Sequence, residues 1–268
     1  MIPIGDSPRI SITPWVNYAL ILVNVLVFLR VMGLSTQLPE SRITQRQEAI
    51  EQANSICYGF NAAPTEADRF YCRWGFQPKE FFETARGESQ AQEPNTRGVL
   101  LSILTSMFLH AGFLHIAGNM LFLFVFGDNI EDRLGHIRYL LFYLAGGIVA
   151  TLIQGFIDLE SVVPVVGASG AVAAVLGSYL VFFPKAKVKV IVPFFPLFLF
   201  PLRIPALVMI GLWFAQNLVA GLATIGNAAS PSGGIAWFAH VGGFAFGAVL
   251  TLFIFRPLLG RPPAWRER

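Results

Sequence analysis

The stretch Gly167-Ala168-Ser169-Gly170-Ala171-Val172-Ala173-Ala174-Val175-Leu176-Gly177-Ser178-Tyr179-Leu180-Val181-Phe182-Phe183 decides how the chain is read. Residues 168–183 contain no charged side chain and read as one apolar helix, opened by a serine after a loop that contains Pro164. Gly170, Ala173, Ala174 and Gly177 share one face of that helix, a face of small residues that lets a second helix come close.

Five further runs resemble this one in hydropathy: residues 15–32, 114–126, 137–157, 205–223 and 237–255. The hydrocarbon core of a bilayer is crossed by roughly 20 apolar residues in a helix, so each run is a candidate span. The run at 114–126 is short unless Asn129 and Ile130 extend it. Composition agrees, since 54% of the 268 residues are hydrophobic and 13% charged, with a mean hydropathy of +0.60. The solvent for most of this chain is lipid. The expectation is an all-α membrane protein with six transmembrane helices and a long outer loop between helices one and two.

The basic residues set an orientation. Arg133 and Arg138 follow the second span, Lys185, Lys187, Lys189 and Arg203 the fourth, and Arg256, Arg261, Arg266 and Arg268 the sixth. The loops on the other side are acidic (158–166) or uncharged (224–236), so the positive-inside rule places both termini in the cytoplasm. Residues 1–14 then form a short cytoplasmic N-terminus, 15–255 the membrane domain and 256–268 a basic cytoplasmic tail. The first run lacks a basic n-region and an Ala-x-Ala cleavage pattern, so it reads as a retained anchor. The expected location is a bacterial plasma membrane, as a multi-pass protein. A net charge of +3, in scattered short groups, excludes nucleic acid as the natural partner.

The outer loop has a polar insertion at about 35–69 and an apolar part at 99–113, too short to span, which is expected to dip into the outer leaflet against the bundle. Pro193, Pro196 and Pro201 break the apolar run at 188–202, which is expected to form a surface hairpin rather than a seventh span. Cys57 and Cys72 both fall in the outer loop, where they would either pair as a disulfide or remain two unlinked thiols. Two cysteines cannot build a four-ligand zinc site, and no metal or other cofactor is implied.

Polar groups inside spans are costly and so mark function. His115 and Asn119 stand four apart on one helix face. Ser169 opens the fourth span, and His240 lies among small residues in Ala239-His240-Val241-Gly242-Gly243, extended by Gly247. Each has an ordinary reading alone: a serine at a helix N-terminus caps it, an intramembrane histidine packs or carries protons, and His with Asn lines a transport path. Together they are the parts of acyl transfer, namely a hydroxyl nucleophile, an imidazole base and donors for an oxyanion. No acidic residue is placed at the depth of His240, so a Ser-His dyad is expected rather than a triad.

Three motifs in order, H-x(4)-H-x(3)-N (His110 to Asn119), G-x-S-G (Gly167 to Gly170) and A-H-x-x-G-x(3)-G (Ala239 to Gly247), make the chain resemble the rhomboid intramembrane serine proteases. Glu131-Asp132-Arg133-Leu134-Gly135 is similar to that family's E-x-R-L-G element. The resemblance implies that Ser169 attacks the scissile carbonyl, that His240 is the general base and then acid, and that His115, Asn119 and the Ser169 N–H hold the oxyanion. It implies a structural role for His110, Glu131 and Arg133; His136 reads as a solvated loop residue. Substrates would be transmembrane proteins cut in or beside a membrane helix. The chain departs from the family at Leu101-Ser102, where Trp-Arg is frequent, and at Ala173, where an aromatic residue often packs on the histidine. The insertion at 35–69 lies outside the resemblance. Two other readings stand beside it: a catalytically silent rhomboid-like protein that binds transmembrane clients, and a small transporter lined by His115, Asn119 and His240.

Overall fold

The computed structural model describes residues 1–8, 10–34, 65–88, 96–192, 200–225 and 235–260. The described chain runs β1 (Ile2–Asp6), α1 (Trp15–Met32), α2 (Glu66–Trp74), α3 (Pro78–Arg86), α4 (Thr96–Thr105), α5 (Phe113–Leu134), α6 (His136–Ile157), α7 (Ser169–Phe182), β2 (Lys187–Ile191), β3 (Leu202–Pro205), α8 (Ala206–Thr224) and α9 (Trp237–Leu259). Among the described residues five helices, α1, α5, α6, α8 and α9, are long and apolar enough to cross a membrane. The architecture is an all-α membrane bundle with one small sheet at its edge.

The fourth expected span, α7, differs in kind. Its 14 residues extend about 21 Å, short of a hydrocarbon core of about 30 Å. Gly170 to Tyr179 are buried without interruption, so α7 is the central post of the bundle. The outer helices show the reverse of a soluble pattern. On α1 the buried positions are Asn17, Leu20, Asn24, Phe28 and Val31, whereas Leu22, Leu26 and Leu29 face outward, where lipid replaces water as the apolar phase.

Glycines set how closely α7 and α9 pack. A Cβ on Gly247 would lie 2.0 Å from the Ala174 carbonyl oxygen, one on Gly177 2.2 Å from that of Phe244, and one on Gly243 2.1 Å from that of Gly170. Thr251 Oγ1 donates to Ser178 Oγ at 2.7 Å across the same interface.

The second span is longer than expected, running to Leu134 through a π-helical turn at Leu123–Gly127. The charged residues that end its apolar run are bonded into the bundle. Glu131 is fully buried, and its carboxylate accepts from the backbone N–H of Val16 (3.0 Å) and Asn17 (2.7 Å). Those are orphan donors of the first turn of α1, whose N-cap Pro14 supplies no side-chain bond. His136 Nδ1 lies 2.5 Å from Glu131 Oε1, so His136 is a partner of that cap and not merely a solvated loop residue. Arg133 donates to the Leu259 and Gly260 carbonyls, fastening the end of α9.

At the same end, β2 lies between β1 and β3, antiparallel to both. The hairpin expected at 188–202 is thus present as β2 and β3; residues 193–199 lie outside the described set. Val188 and Val190 are buried while Lys187 and Lys189 face out, the period-two alternation of a half-buried strand. Residues 2–6 are therefore part of the fold. Asp6 of β1 accepts from Tyr179 Oη (2.6 Å) and Asn129 Nδ2 (2.9 Å), and burial raises its carboxyl to about 7.

Two measurements test this packing. Gly247→Ala should destabilise by about 1–3 kcal/mol through overpacking, whereas Gly211→Ala, where a Cβ meets nothing within 4 Å, should leave thermal stability in detergent unchanged. A carboxyl whose folded value is raised stabilises most below its unfolded value, and that contribution is lost as pH rises towards 7. Wild-type stability should therefore fall across the window from about 4 to about 7, and Asp6→Asn should flatten that fall.

Candidate active site

Ser169 is the first residue of α7, so its N–H belongs to the first-turn donors that have no intrahelical acceptor. The loop before it is clamped on both sides. Gly167 N donates to the Ser106 carbonyl (2.9 Å), Phe76 and Val165 exchange backbone bonds, and Gln77 Nε2 donates to the Val162 carbonyl (2.7 Å). Gly167 takes φ +130°, and a Cβ there would sit 2.7 Å from His115 Nε2, so conformation and space both require glycine. The segment between α1 and α5 thus supports the serine loop: Thr105 Oγ1 donates to the Trp74 carbonyl, and Tyr71 Oη to that of His110.

His240 lies in the first turn of α9, and that turn is capped from a different helix. Gln154 Oε1, on α6, accepts from the backbone N–H of Phe238 (3.1 Å) and Ala239 (3.2 Å). His240 Nε2 stands 2.7 Å from Ser169 Oγ. Its Nδ1 lies 2.5 Å from Asn217 Oδ1, and the Trp213 ring covers it at 5.6 Å between centroids, tilted by 34°. Trp213 and Asn217 both come from α8. The aromatic cover that Ala173 cannot provide is supplied by Trp213.

All four expected residues line one cavity of about 650 Å³: Ser169, His240, His115 and Asn119, with Trp213 and Asn217. Asn119 is 7% exposed and its Nδ2 is a buried donor without a partner among the described residues. His110 is fully buried beside His115, 5.1 Å between ring centroids, and burial lowers its imidazolium to about 3, so it is neutral. Its Nε2 faces the backbone N–H of Ala168 at 3.5 Å, which places it behind the serine loop. Cys72 is on α2, buried and without a free thiol, and does not line the cavity. Cys57 and most of the insertion at 35–69 lie outside the described residues.

Sequence reasoning missed Asn217, Trp213 and Gln154. A signal existed for the first two: Trp213 and Asn217 are four apart on one face of a span, and an amide inside a span is costly unless it is bonded.

A family model, the Rhomboid domain, matches residues 97–257, from α4 to near the end of α9. The chain belongs to the rhomboid family. It is similar to "Rhomboid protein 1, mitochondrial" of Saccharomyces cerevisiae, 33% identical over 162 residues, 58% of this chain and 42% of the relative. It is also similar to "RHOMBOID-like protein 6, mitochondrial" of Arabidopsis thaliana, 36% identical over 78 residues, 29% of this chain and 25% of the relative. A third relative, "Putative rhomboid protease YdcA" of Bacillus subtilis, is 39% identical over 79 residues, 29% of this chain and 39% of the relative. The chain spans less than half the length of each. Two of these rhomboids are mitochondrial by name, so the expected bacterial plasma membrane gains no support, while an integral membrane protein does.

The capping of α9 is testable by itself. Gln154→Leu removes the acceptor for two N–H groups at the start of the histidine helix and should cost about 1–3 kcal/mol, read as a lowered unfolding temperature in detergent.

Proposed function

We propose that this rhomboid is an intramembrane serine endopeptidase that uses Ser169 and His240. The observation that carries the reading is the 2.7 Å contact between Ser169 Oγ and His240 Nε2 at the wall of an accessible cavity. Ser169 Oγ attacks the scissile carbonyl as His240 Nε2 takes its proton; the imidazolium then gives that proton to the leaving amine. Water hydrolyses the acyl-enzyme with the same base. The oxyanion is held by the Ser169 N–H, by Asn119 Nδ2, which has no other partner among the described residues, and by His115 across from Gly167.

The substrates are transmembrane proteins. A helical backbone shields its own carbonyls, so the cut falls where helix-weakening residues open it, next to a small side chain. The basic residues of the β2–β3 end, Lys187, Lys189 and Arg203, support a cytoplasmic position for that end and an opposite-facing opening for the serine. Cys72 is assigned to a disulfide with Cys57.

A fluorophosphonate probe on the detergent-solubilised full chain tests the reading. Wild type should label, and Ser169→Ala and His240→Ala should not. Asn119→Ala should label more slowly by about 10²–10³-fold, the effect of losing one oxyanion donor. Wild type that stays unlabelled while another rhomboid labels under the same conditions would favour a client-binding protein.

A further inference from the structure

A neutral histidine can accept a proton from Ser169 only if the lone pair is on Nε2, that is, if the hydrogen is on Nδ1. Nothing intrinsic to the imidazole secures this. The group opposite Nδ1 has to be an acceptor, and an amide satisfies that requirement only in one of its two orientations.

The orientation of Asn217 follows from its second bond. Its Nδ2 donates to the Trp213 backbone carbonyl at 2.7 Å, one helical turn earlier on α8. Turning the amide over would place Oδ1 against that carbonyl, two acceptors facing each other, and would present an N–H to His240. Asn217 is 3% exposed, so no solvent compensates for the flip. Oδ1 therefore faces Nδ1, which must carry the hydrogen, and the Nε2 lone pair faces Ser169 Oγ.

We infer that Asn217 is a positioning residue that fixes His240 in the Nδ1–H tautomer, through an amide whose orientation is dictated by the Trp213 carbonyl. The inference rests on the serine-protease reading for its consequence but not for its test. A neutral amide does here what a carboxylate does in a soluble triad, without placing a charge inside the membrane. Trp213 contributes twice, with its carbonyl through Asn217 and with its ring over the imidazole.

The test reads the tautomer directly. In full-length protein with 15N-labelled histidine, the His240 signals are identified by their loss in His240→Gln. Wild type should show a protonated Nδ1 and an unprotonated Nε2. Asn217→Leu should lose that pattern, while Asn217→Asp, as the neutral acid with one oxygen accepting from Nδ1 and its O–H donating to the Trp213 carbonyl, should keep it. An imposed wrong tautomer costs a serine protease about 10⁴-fold; Asn217→Leu releases the tautomer rather than inverting it, so fluorophosphonate labelling should slow by about 10- to 100-fold. Asn217→Asp should stay within about threefold of wild type. Unchanged 15N signals in Asn217→Leu would overturn the inference, as would an Nε2–H in wild type. If the signals change as expected while wild type never labels, the tautomer assignment stands and the protease reading falls.

Discussion

Everything at the site depends on two helices meeting backbone to backbone. Lipid is as apolar as leucine, so helices in a membrane gain little by hiding apolar side chains and rely instead on close contact. The contact between Gly243 and the Gly170 carbonyl lies one residue from Ser169 and three from His240. The spacing of nucleophile and imidazole is therefore set by helix packing. A methyl group at that contact would move both helices before it moved either side chain.

Around this contact, neutral polar groups do the orienting. Gln154 holds the first turn of α9, Asn217 holds the far side of the imidazole, and the loop at 165–167, clamped by Phe76 and Ser106, holds the start of α7. Each is bonded to backbone or to a neutral ring. The buried carboxylate, Glu131, lies at the opposite end of the bundle, against helix N–H groups that favour negative charge. The fully buried carboxylate and the chemistry are kept at opposite ends of the short central helix.

Much of this was legible in the sequence, because lipid makes hydropathy a direct record of depth. The first span was read to the residue, and the third, fifth and sixth to within a few. The second was read short at 126, because Asp128, Glu131 and Asp132 end the apolar run; the helix continues since Glu131 has a helix N-terminus to bind. The fourth was read as a full span, whereas α7, at 14 residues, is too short to reach both faces and is covered by its neighbours. Ser169, His240, His115 and Asn119 were found as costly polar groups in apolar runs, and they share one cavity. Asn217 satisfied the same criterion but had no motif to single it out. The hairpin at 188–202 was legible from its prolines, and the Lys-Val-Lys-Val alternation marks its first arm as a half-buried strand. Gln154 could not have been assigned, because its partners lie 84 and 85 residues away.

The Glu131 cap ties distant parts of the chain together. The first turn of α1 is completed by a carboxylate more than a hundred residues downstream, at the far end of α5. A change at Glu131 therefore acts away from the helix that carries it, uncovering two N–H groups at the start of the first span.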